Sequence, residues 1–203
     1  SLTEPRYVTY VLPDGTEGKY ANYGGRLPEG AKHAVLENHY YPSHEAIDFY
    51  GHYKEDIKLF AEMGFKTFRM SIAWSRIFPK GIEEEPNQEG LDFYRSMFEE
   101  LRKYDIEPLV TLQHFDVPLY LEEEMGGWLN RETIDLFAKY ARTVFEEYKD
   151  LVTYWLTINE INTALMGVMM AESFPDFPKD LTQDGFQILH HQFLGSAKAV
   201  KTA

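Results

Sequence analysis

An amide and a carboxylic acid, Asn159 and Glu160, follow directly after residues 154–158, an apolar run rich in residues that favour β-strands. A buried strand delivers the residues after it to its own C-terminal end, which is where ligands bind in barrels and open sheets of parallel strands. A carboxyl group at that position is a candidate for acid–base chemistry. The residues alone leave a structural alternative open, because a carboxylate at the start of a helix is also stabilised by the helix macrodipole.

Two further strand-like segments end in polar side chains. Residues 65–72 carry Arg69 near their end, and residues 106–113 are followed by His114 and Asp116. His114 could donate a hydrogen bond to a sugar hydroxyl or could be a structural histidine, and the residues alone do not separate these roles. A metal site at His114 and Asp116 is disfavoured because the sequence offers no evident third ligand.

Segments with helical periodicity alternate with these strands. The strands begin near residues 65, 106 and 151, which are 41 and 45 residues apart, and a helix bridges each pair. This alternation predicts βαβ units, a parallel sheet and right-handed crossovers. The first predicted helix runs from Ser43, its N-cap, to Gly64, and the second runs from 89 to 103. The third runs from Asn130, its N-cap, to about Tyr148. Two more are predicted at 161–170 and, after a proline-broken loop at 173–178, from about Thr182 onward.

Two architectures contain such units, a doubly wound sheet and a (β/α)8 barrel. A doubly wound sheet that binds dinucleotides or phosphates is disfavoured because no G-x-G-x-x-G or P-loop pattern follows any predicted strand. A barrel is favoured because all three strands carry polar groups at the same end, as a barrel active site requires. The predicted fold class is therefore α/β, a partial (β/α)8 TIM barrel.

Residues 1–40 differ in composition from the rest of the chain. They contain β-forming residues at 7–12, then Pro-Asp-Gly at 13–15, then a stretch rich in glycine and tyrosine up to Gly30. This composition predicts a long loop region with a short hairpin. The 203 residues are thus predicted to form one incomplete barrel domain, with the loop region at 1–40 and the βα units at 41–203.

The composition argues against several classes of protein. A formal net charge of −13 leaves no basic surface to neutralise phosphates, which argues against nucleic-acid binding and against docking on anionic lipid. The sequence has no cysteine, no N-terminal apolar signal segment and no apolar run near the roughly 20 residues of a membrane span, so a cytoplasmic location is expected. The acidic runs 83–85 and 122–124 are predicted to be solvated, and His190 and His191 are predicted to support packing or face solvent.

Five motifs, taken in order, resemble the first half of glycoside hydrolase family 1. They are Gly-His-Tyr-Lys-Glu-Asp-Ile at 51–57, Phe-Arg-Met-Ser-Ile-Ala-Trp-Ser-Arg-Ile at 68–77, Thr-Leu-Gln-His-Phe-Asp at 111–116, Gly-Gly-Trp-Leu-Asn at 126–130 and Thr-Ile-Asn-Glu at 157–160. Residues 41–50 are similar to the bacterial 6-phospho-β-glucosidase branch of that family. The resemblance implies a (β/α)8 barrel that hydrolyses β-glycosides with retention of configuration by means of two glutamates.

The resemblance also assigns roles to single residues. Glu160 matches the general acid/base, which must carry a proton near neutral pH in order to protonate the leaving group. Asn159 would bond the sugar 2-hydroxyl, His114 would bind hydroxyls of the same ring, and Arg69 would position the nucleophilic carboxylate. Phe115 stands on the sugar-facing wall, where the family commonly has tryptophan. The implied partner is a small-molecule β-glycoside, with or without a 6-phosphate, and no metal or organic cofactor is implied.

Parts of the family pattern do not occur in these residues. The first barrel strand with its sugar-binding glutamine, the Thr-Glu-Asn-Gly strand with the nucleophile, and the late serine, lysine and tyrosine that bind phosphate are absent. The chain is therefore expected to hold roughly strands two to four, to be inactive alone, and to self-associate or need the rest of the barrel because strand edges stay unpaired. The alternatives are a β-glucosidase or β-galactosidase for unphosphorylated sugars and a non-catalytic half-barrel that binds sugar or self-associates.

Overall fold

Two sheets of different type are present in the computed structural model, which describes residues 3–4, 7–21, 27–163 and 181–203. The antiparallel sheet contains β1 (Thr3–Glu4), β2 (Tyr7–Val11), β3 (Glu17–Ala21) and β4 (Lys32–His33). The parallel sheet, in the order β5-β6-β7, contains β5 (Thr67–Ser71), β6 (Glu107–Gln113) and β7 (Tyr154–Ile158). The three strands of the parallel sheet are the three strands predicted from the sequence.

Helices connect the strands of the parallel sheet. They are α1 (Pro42–Glu45), α2 (Phe49–Glu62), α3 (Trp74–Ile77), α4 (Gln88–Lys103), α5 (Leu119–Met125), α6 (Thr133–Tyr148) and α7 (Leu181–Thr202), with 3-10 turns at Gly127–Leu129 and Ile161–Thr163. Because α4 joins β5 to β6 and α6 joins β6 to β7, the predicted βαβ units are confirmed. The predicted helix 161–170 begins as a 3-10 turn, and its remainder, like the predicted loop 173–178, lies outside the described residues.

The helix-facing side of the parallel sheet forms the hydrophobic core and also aligns the strand ends. Val110 and Leu112 of β6 are fully buried there. Tyr140 of α6 stacks on Trp74 with ring centroids 5.4 Å apart. Its hydroxyl donates a shared hydrogen bond to the carbonyl oxygens of Ile72 at 3.1 Å and Leu112 at 2.9 Å. One buried phenol therefore holds the C-terminal ends of β5 and β6 side by side.

The helix predicted from Ser43 to Gly64 is divided into α1 and α2. Ser43 lies inside α1 and is not the N-cap of a long helix. Asp48 has a left-handed backbone (φ 47°), and its side chain accepts a hydrogen bond from the backbone N–H of Gly51, so it caps α2. Aspartate tolerates this conformation and is a favoured N-cap, which explains why the helix restarts there. The predicted end at Gly64 is confirmed, since α2 stops at Glu62 and Gly64 has φ 83°.

The helix predicted from Asn130 is confirmed, but it starts three residues later, at Thr133. The side-chain oxygen of Asn130 accepts a hydrogen bond from the backbone N–H of Glu132 at 2.9 Å, and its carbonyl oxygen accepts from that of Thr133 at 3.2 Å. Asn130 therefore closes a turn ahead of α6, which is the local bonding that makes asparagine favour turns.

Within 1–40, the described residues contain more strands than the short hairpin predicted from the sequence. The predicted hairpin is confirmed as β2–β3, where Leu12 N–H donates to the Thr16 carbonyl at 2.8 Å and Gly15 adopts the left-handed φ of 85° that its turn requires. Two more strands, β1 and β4, both pair with β2. They were missed because each has only two residues and because β4 pairs with β2, a strand that does not precede it directly in sequence, and local periodicity does not report such pairing.

The last predicted helix is confirmed as α7, and each of its two histidines has one of the two predicted environments. His190 is exposed, whereas His191 is buried between the Trp128 carbonyl oxygen, 2.8 Å from its Nδ1, and the side-chain amide of Gln187, 2.7 Å from its Nε2. In the part of the chain that the structure describes, no helix combines the length and the apolar character needed to cross a membrane.

Candidate active site

Polar groups from all three parallel strands meet at the C-terminal end of the sheet. Arg69 of β5 donates from Nη2 to the side-chain oxygen of Asn159 at 2.6 Å. The backbone N–H of Asn159 donates to the carbonyl oxygen of Gln113 at 2.9 Å, so the ladder between β6 and β7 continues past the last strand residue. The structure thus brings together two of the residues that the sequence predicts for the site, although they are 90 positions apart.

Thr111 supports Arg69 from the middle strand. Nε and Nη2 of Arg69 both lie 3.4 Å from the Thr111 hydroxyl oxygen, a long and weak contact. Thr111 is fully buried and stands opposite Ser71 in the β5–β6 register, two positions beyond the pair of Arg69 with Leu109. Because side chains alternate along a strand, these residues share the face turned away from the helices. The sequence analysis missed Thr111, and strand alternation is the signal that could have found it.

Two buried polar atoms at this strand end have no hydrogen-bond partner among the described residues. They are Nδ2 of Asn159 and Oε1 of Gln113, in side chains only 8% and 3% exposed. A buried polar atom left unpaired costs about 1–3 kcal/mol, so native proteins rarely keep one without a reason such as a ligand. Asn159 was predicted from the sequence, whereas Gln113 was missed, although it shares the face of Thr111 by alternation.

Glu160 occupies the position directly after Asn159 and has a strained backbone. Its φ is 47°, a left-handed value that costs a residue with a Cβ about 1 kcal/mol. Its carbonyl oxygen accepts hydrogen bonds from the backbone N–H and the hydroxyl of Thr163, at 2.7 and 2.8 Å, which start the following 3-10 turn. The residue is exposed, and no described residue bonds its carboxylate. The structure therefore leaves the predicted acid accessible at the strand end.

The turn after β6 carries the other two predicted site residues. His114 and Phe115 are exposed, with ring centroids 5.2 Å apart in an edge-on contact, and Phe115 has a left-handed φ of 65°. Among the described contacts, neither ring touches Arg69 or Asn159. The turn reaches that pair only through Gln113, the residue before His114.

Asp116 fixes this turn by accepting hydrogen bonds from backbone groups that follow β6 and β5. Its carboxylate accepts from the N–H of His114 at 2.9 Å and from the N–H of Trp74, at the start of α3, at 3.3 Å. Burial raises the pKa of Asp116, while these two hydrogen bonds act in the opposite direction. The sequence analysis considered this residue only as a metal ligand, and the structure makes it a structural link between β6 and the segment after β5.

In the acidic run 122–124, only Glu124 is exposed as predicted from the sequence, whereas Glu122 and Glu123 are at least partly buried. Burial, together with the charges of Glu123 and Asp116, raises the pKa of Glu122 to about 7. Glu123 accepts a hydrogen bond from the backbone N–H of His33 at 2.8 Å, and Glu124 forms an ion pair with Lys32. The prediction was wrong for Glu122 and Glu123 and holds for Glu124. It failed because α5 contacts β4, and the local sequence of neither segment indicates that contact.

Comparisons with known proteins agree with this geometry. The sequence model for glycosyl hydrolase family 1 matches residues 29–203. The chain is 56% identical over 171 residues to the 6-phospho-beta-glucosidase AscB of Escherichia coli K12, covering 83% of this chain and 36% of that protein. It is 56% identical over 156 residues to a 6-phospho-beta-glucosidase of Clostridium longisporum, covering 76% of this chain and 33% of that protein.

A solved structure resembles the chain at the level of the fold. A beta-glucosidase from Thermotoga maritima, in complex with glucoimidazole, superposes with a TM-score of 0.68 at 38% sequence identity and covers 76% of this chain and 34% of that one. The predicted fold class, a partial (β/α)8 barrel, is confirmed. The chain spans about a third of the length of the relatives that it matches.

Proposed function

The chain belongs to glycosyl hydrolase family 1, and on that premise we propose that it supplies the acid/base half of a retaining β-glycosidase site. Glu160 donates a proton to the glycosidic oxygen as the bond to the anomeric carbon breaks. A second carboxylate, contributed by residues outside this sequence, attacks the anomeric carbon and forms the glycosyl-enzyme intermediate. Glu160 then takes a proton from the water that hydrolyses this intermediate, which restores both carboxyl groups.

The observation that carries the proposal is the contact between Arg69 and Asn159 beside Glu160. It places a guanidinium, an unpaired amide N–H and an accessible carboxyl group at one strand end. A guanidinium presents several N–H donors in a plane, so Arg69 can bond Asn159 and still hold a carboxylate nucleophile. The free Nδ2 of Asn159 is a donor for a sugar hydroxyl, a bond that strengthens in the transition state.

We propose a 6-phosphorylated β-glucoside as the substrate. We also propose a role in carbohydrate metabolism and a location in the cytoplasm. The likeness to two bacterial 6-phospho-beta-glucosidases supports the phosphate, whereas the likeness to a beta-glucosidase structure supports an unphosphorylated substrate as the second candidate. Rates of hydrolysis of aryl β-glucosides with and without a 6-phosphate, measured on the intact enzyme, decide between them. Faster hydrolysis of the plain glucoside would overturn the proposed substrate.

Glu160→Gln tests the acid/base role in the intact enzyme. The amide cannot donate the proton, so activity on substrates with poor leaving groups should fall by about 10²–10⁴-fold, while substrates with activated leaving groups should keep the first step. Glu124→Gln, an exposed glutamate of α5, is the matched control and should leave both activities unchanged. Equal losses on the two kinds of substrate would contradict the assignment.

We also propose that the 203 residues are inactive alone and associate with copies of themselves or with the rest of a barrel. In the described part of the sheet, β5 and β7 each pair on one side only, and Tyr154 and Leu156 expose apolar surface on the face away from the helices. The non-catalytic half-barrel is the alternative function for such a segment. Mass in solution and glycosidase assays of the purified chain test this, and an active monomer would disprove it.

A further inference from the structure

We propose that His33 and Glu123 are positioning residues for the sugar-binding turn 114–116. The pair fixes α5 against the antiparallel sheet, and α5 in turn fixes the turn that precedes it. This inference rests on the proposed function, because it concerns how the same site holds its sugar.

The contact between the two residues is short and shielded from solvent. One carboxylate oxygen of Glu123 accepts from the backbone N–H of His33 at 2.8 Å and lies 2.9 Å from its Nδ1. The side chains are only 7% and 10% exposed. The second ring nitrogen, Nε2, lies 3.2 Å from the hydroxyl of Tyr20. With Nδ1–H donating to Glu123, Nε2 accepts from Tyr20, so both ring nitrogens are engaged and the imidazole orientation is set.

The neighbouring pair on the same two elements provides an internal comparison. Lys32 of β4 and Glu124 of α5 also form an ion pair, but their side chains are 63% and 40% exposed. Exposed pairs contribute little because water and salt screen them, whereas breaking a buried pair leaves an uncompensated polar group. The two pairs join the same strand to the same helix, so their difference isolates the effect of burial.

The position of α5 directly affects the sugar-binding turn, because the helix follows the turn in sequence. The helix begins three residues after Asp116, and Leu121 N–H closes its first turn by bonding the Pro118 carbonyl at 2.9 Å. On the core side Leu121 is fully buried and packs so tightly on Gly81 that a Cβ there would lie 2.5 Å from its Cδ1. His33 holds the opposite side of α5 through Glu123. The segment is therefore fixed on two sides.

The strained backbone of Phe115 gives this arrangement a role in binding. A left-handed φ of 65° in a bulky residue persists only when the surrounding structure over-determines it. Asp116 supplies one restraint within the turn, and the His33–Glu123 pair supplies the other from outside it. Releasing α5 should let the rings of His114 and Phe115 drift from the sugar, and small displacements of binding groups are costly in an active site.

Kinetics of the intact enzyme test the positioning role. His33→Leu should raise KM for the glycoside about tenfold and change kcat less than about threefold, because ground-state binding is lost while Glu160 is untouched. His33→Asn, whose amide can replace Nδ1–H, should recover most of the affinity. Lys32→Ala should stay within about twofold of wild type. An unchanged KM in His33→Leu, or an equal rise in Lys32→Ala, would overturn the inference.

Hydrogen exchange of the ligand-free intact enzyme supplies a readout that does not depend on activity. Amides of α5 and of the turn 114–116 should exchange about tenfold faster in His33→Leu and in Glu123→Leu, and no faster in Lys32→Ala. Glu123→Gln keeps an acceptor oxygen and should remain near wild type, whereas Glu123→Leu tests the same contact if His33→Leu does not fold. Unchanged exchange in both Leu variants would overturn the positioning role of His33 and Glu123. A wild-type enzyme with no glycosidase activity would overturn only the proposed function.

Discussion

The turns that follow β6 and β7 place their functional side chains in the same way but hold them by different contacts. In each, the second residue beyond the strand has a left-handed backbone, Phe115 with φ 65° and Glu160 with φ 47°. The β6 turn is held by Asp116, which accepts two backbone N–H groups. The β7 turn has backbone bonds to Gln113 and Thr163 and, in addition, a bond between the side chains of Arg69 and Asn159.

This difference fits the function proposed for each turn. The turn proposed to bind the sugar is restrained by two backbone N–H groups that bond Asp116 and by α5, which suits groups that must keep one geometry. The acid Glu160 is exposed, and the side chain beside it, that of Asn159, is held by one charged contact from Arg69, which suits a group that is proposed to exchange a proton with substrate and water. The β7 turn should therefore be the more sensitive of the two to a single substitution.

Arg69→Met is expected to have the largest effect. It removes the donor to Asn159 and the cation that is proposed to hold the nucleophile, so kcat/KM of the intact enzyme should fall about 10³-fold. Arg131→Met, at an exposed arginine ahead of α6, is the control and should change kcat/KM less than about twofold. Steady-state kinetics on an aryl β-glycoside measure both, and a loss below about tenfold would show that this contact does not hold the β7 turn.

Asp116→Ala tests the β6 turn by removing the acceptor for the N–H groups of His114 and Trp74. The free energy of unfolding should fall by about 2–3 kcal/mol, because two backbone donors lose their partner. Asp116→Asn keeps one acceptor oxygen and should lose about half as much. Urea denaturation of the intact enzyme measures the two values, and equal losses would indicate that the charge of Asp116 matters and its acceptor oxygens do not.

Glu122→Gln tests the burial of Glu122 in α5, the helix that follows the β6 turn. The folded pKa of Glu122 is raised to about 7 from an ordinary value of 4.5, so between these values the unfolded chain releases the proton while the folded protein keeps it. Stability contributed by the protonated group is thus lost as the pH rises through this window. Glu122→Gln should raise the free energy of unfolding by about 2 kcal/mol near pH 8 and leave it unchanged near pH 4.

The control for this pH dependence is Glu124→Gln, because Glu124 is exposed on the same helix. It should change the free energy of unfolding by no more than about 0.5 kcal/mol at either pH. Urea denaturation at several pH values provides the comparison. A gain in Glu122→Gln that does not vary with pH would contradict the raised pKa.

Phe115→Gly is expected to have the smallest effect on the free energy of unfolding, and it should relieve backbone strain that Phe115→Ala keeps. Glycine adopts a φ of 65° without the cost that a Cβ imposes, and the lost side chain is already 64% exposed. The variant should be about 1 kcal/mol more stable than Phe115→Ala, which keeps the Cβ, while both lose affinity for the glycoside. Thermal unfolding of the two variants measures the difference, and equal stabilities would show that the turn stores no strain.

Local patterns predicted most of the parallel half of the molecule. The strands and α4 were found within three residues of their ends, because period-two and 3.6-residue patterns arise from contacts that each segment makes with a single core. The break at Asp48 was not found, since a left-handed cap interrupts a helix without interrupting its apolar pattern. In the antiparallel sheet, β1 and β4 are too short to have a pattern at all.

The sequence by itself determined that Asn159 and Glu160 follow a buried strand, that Arg69 and His114 stand at the ends of neighbouring ones, and that the chain carries a formal net charge of −13. These features depend on residue type and spacing along the chain. Only the tertiary structure decided that Arg69 bonds Asn159, that Gln113 faces the same space with an unpaired oxygen, and that Glu123 is buried against His33. The physical reason is that each of these contacts joins segments far apart in sequence, so burial and hydrogen bonding between them exist only once the strands have paired and the helices have packed.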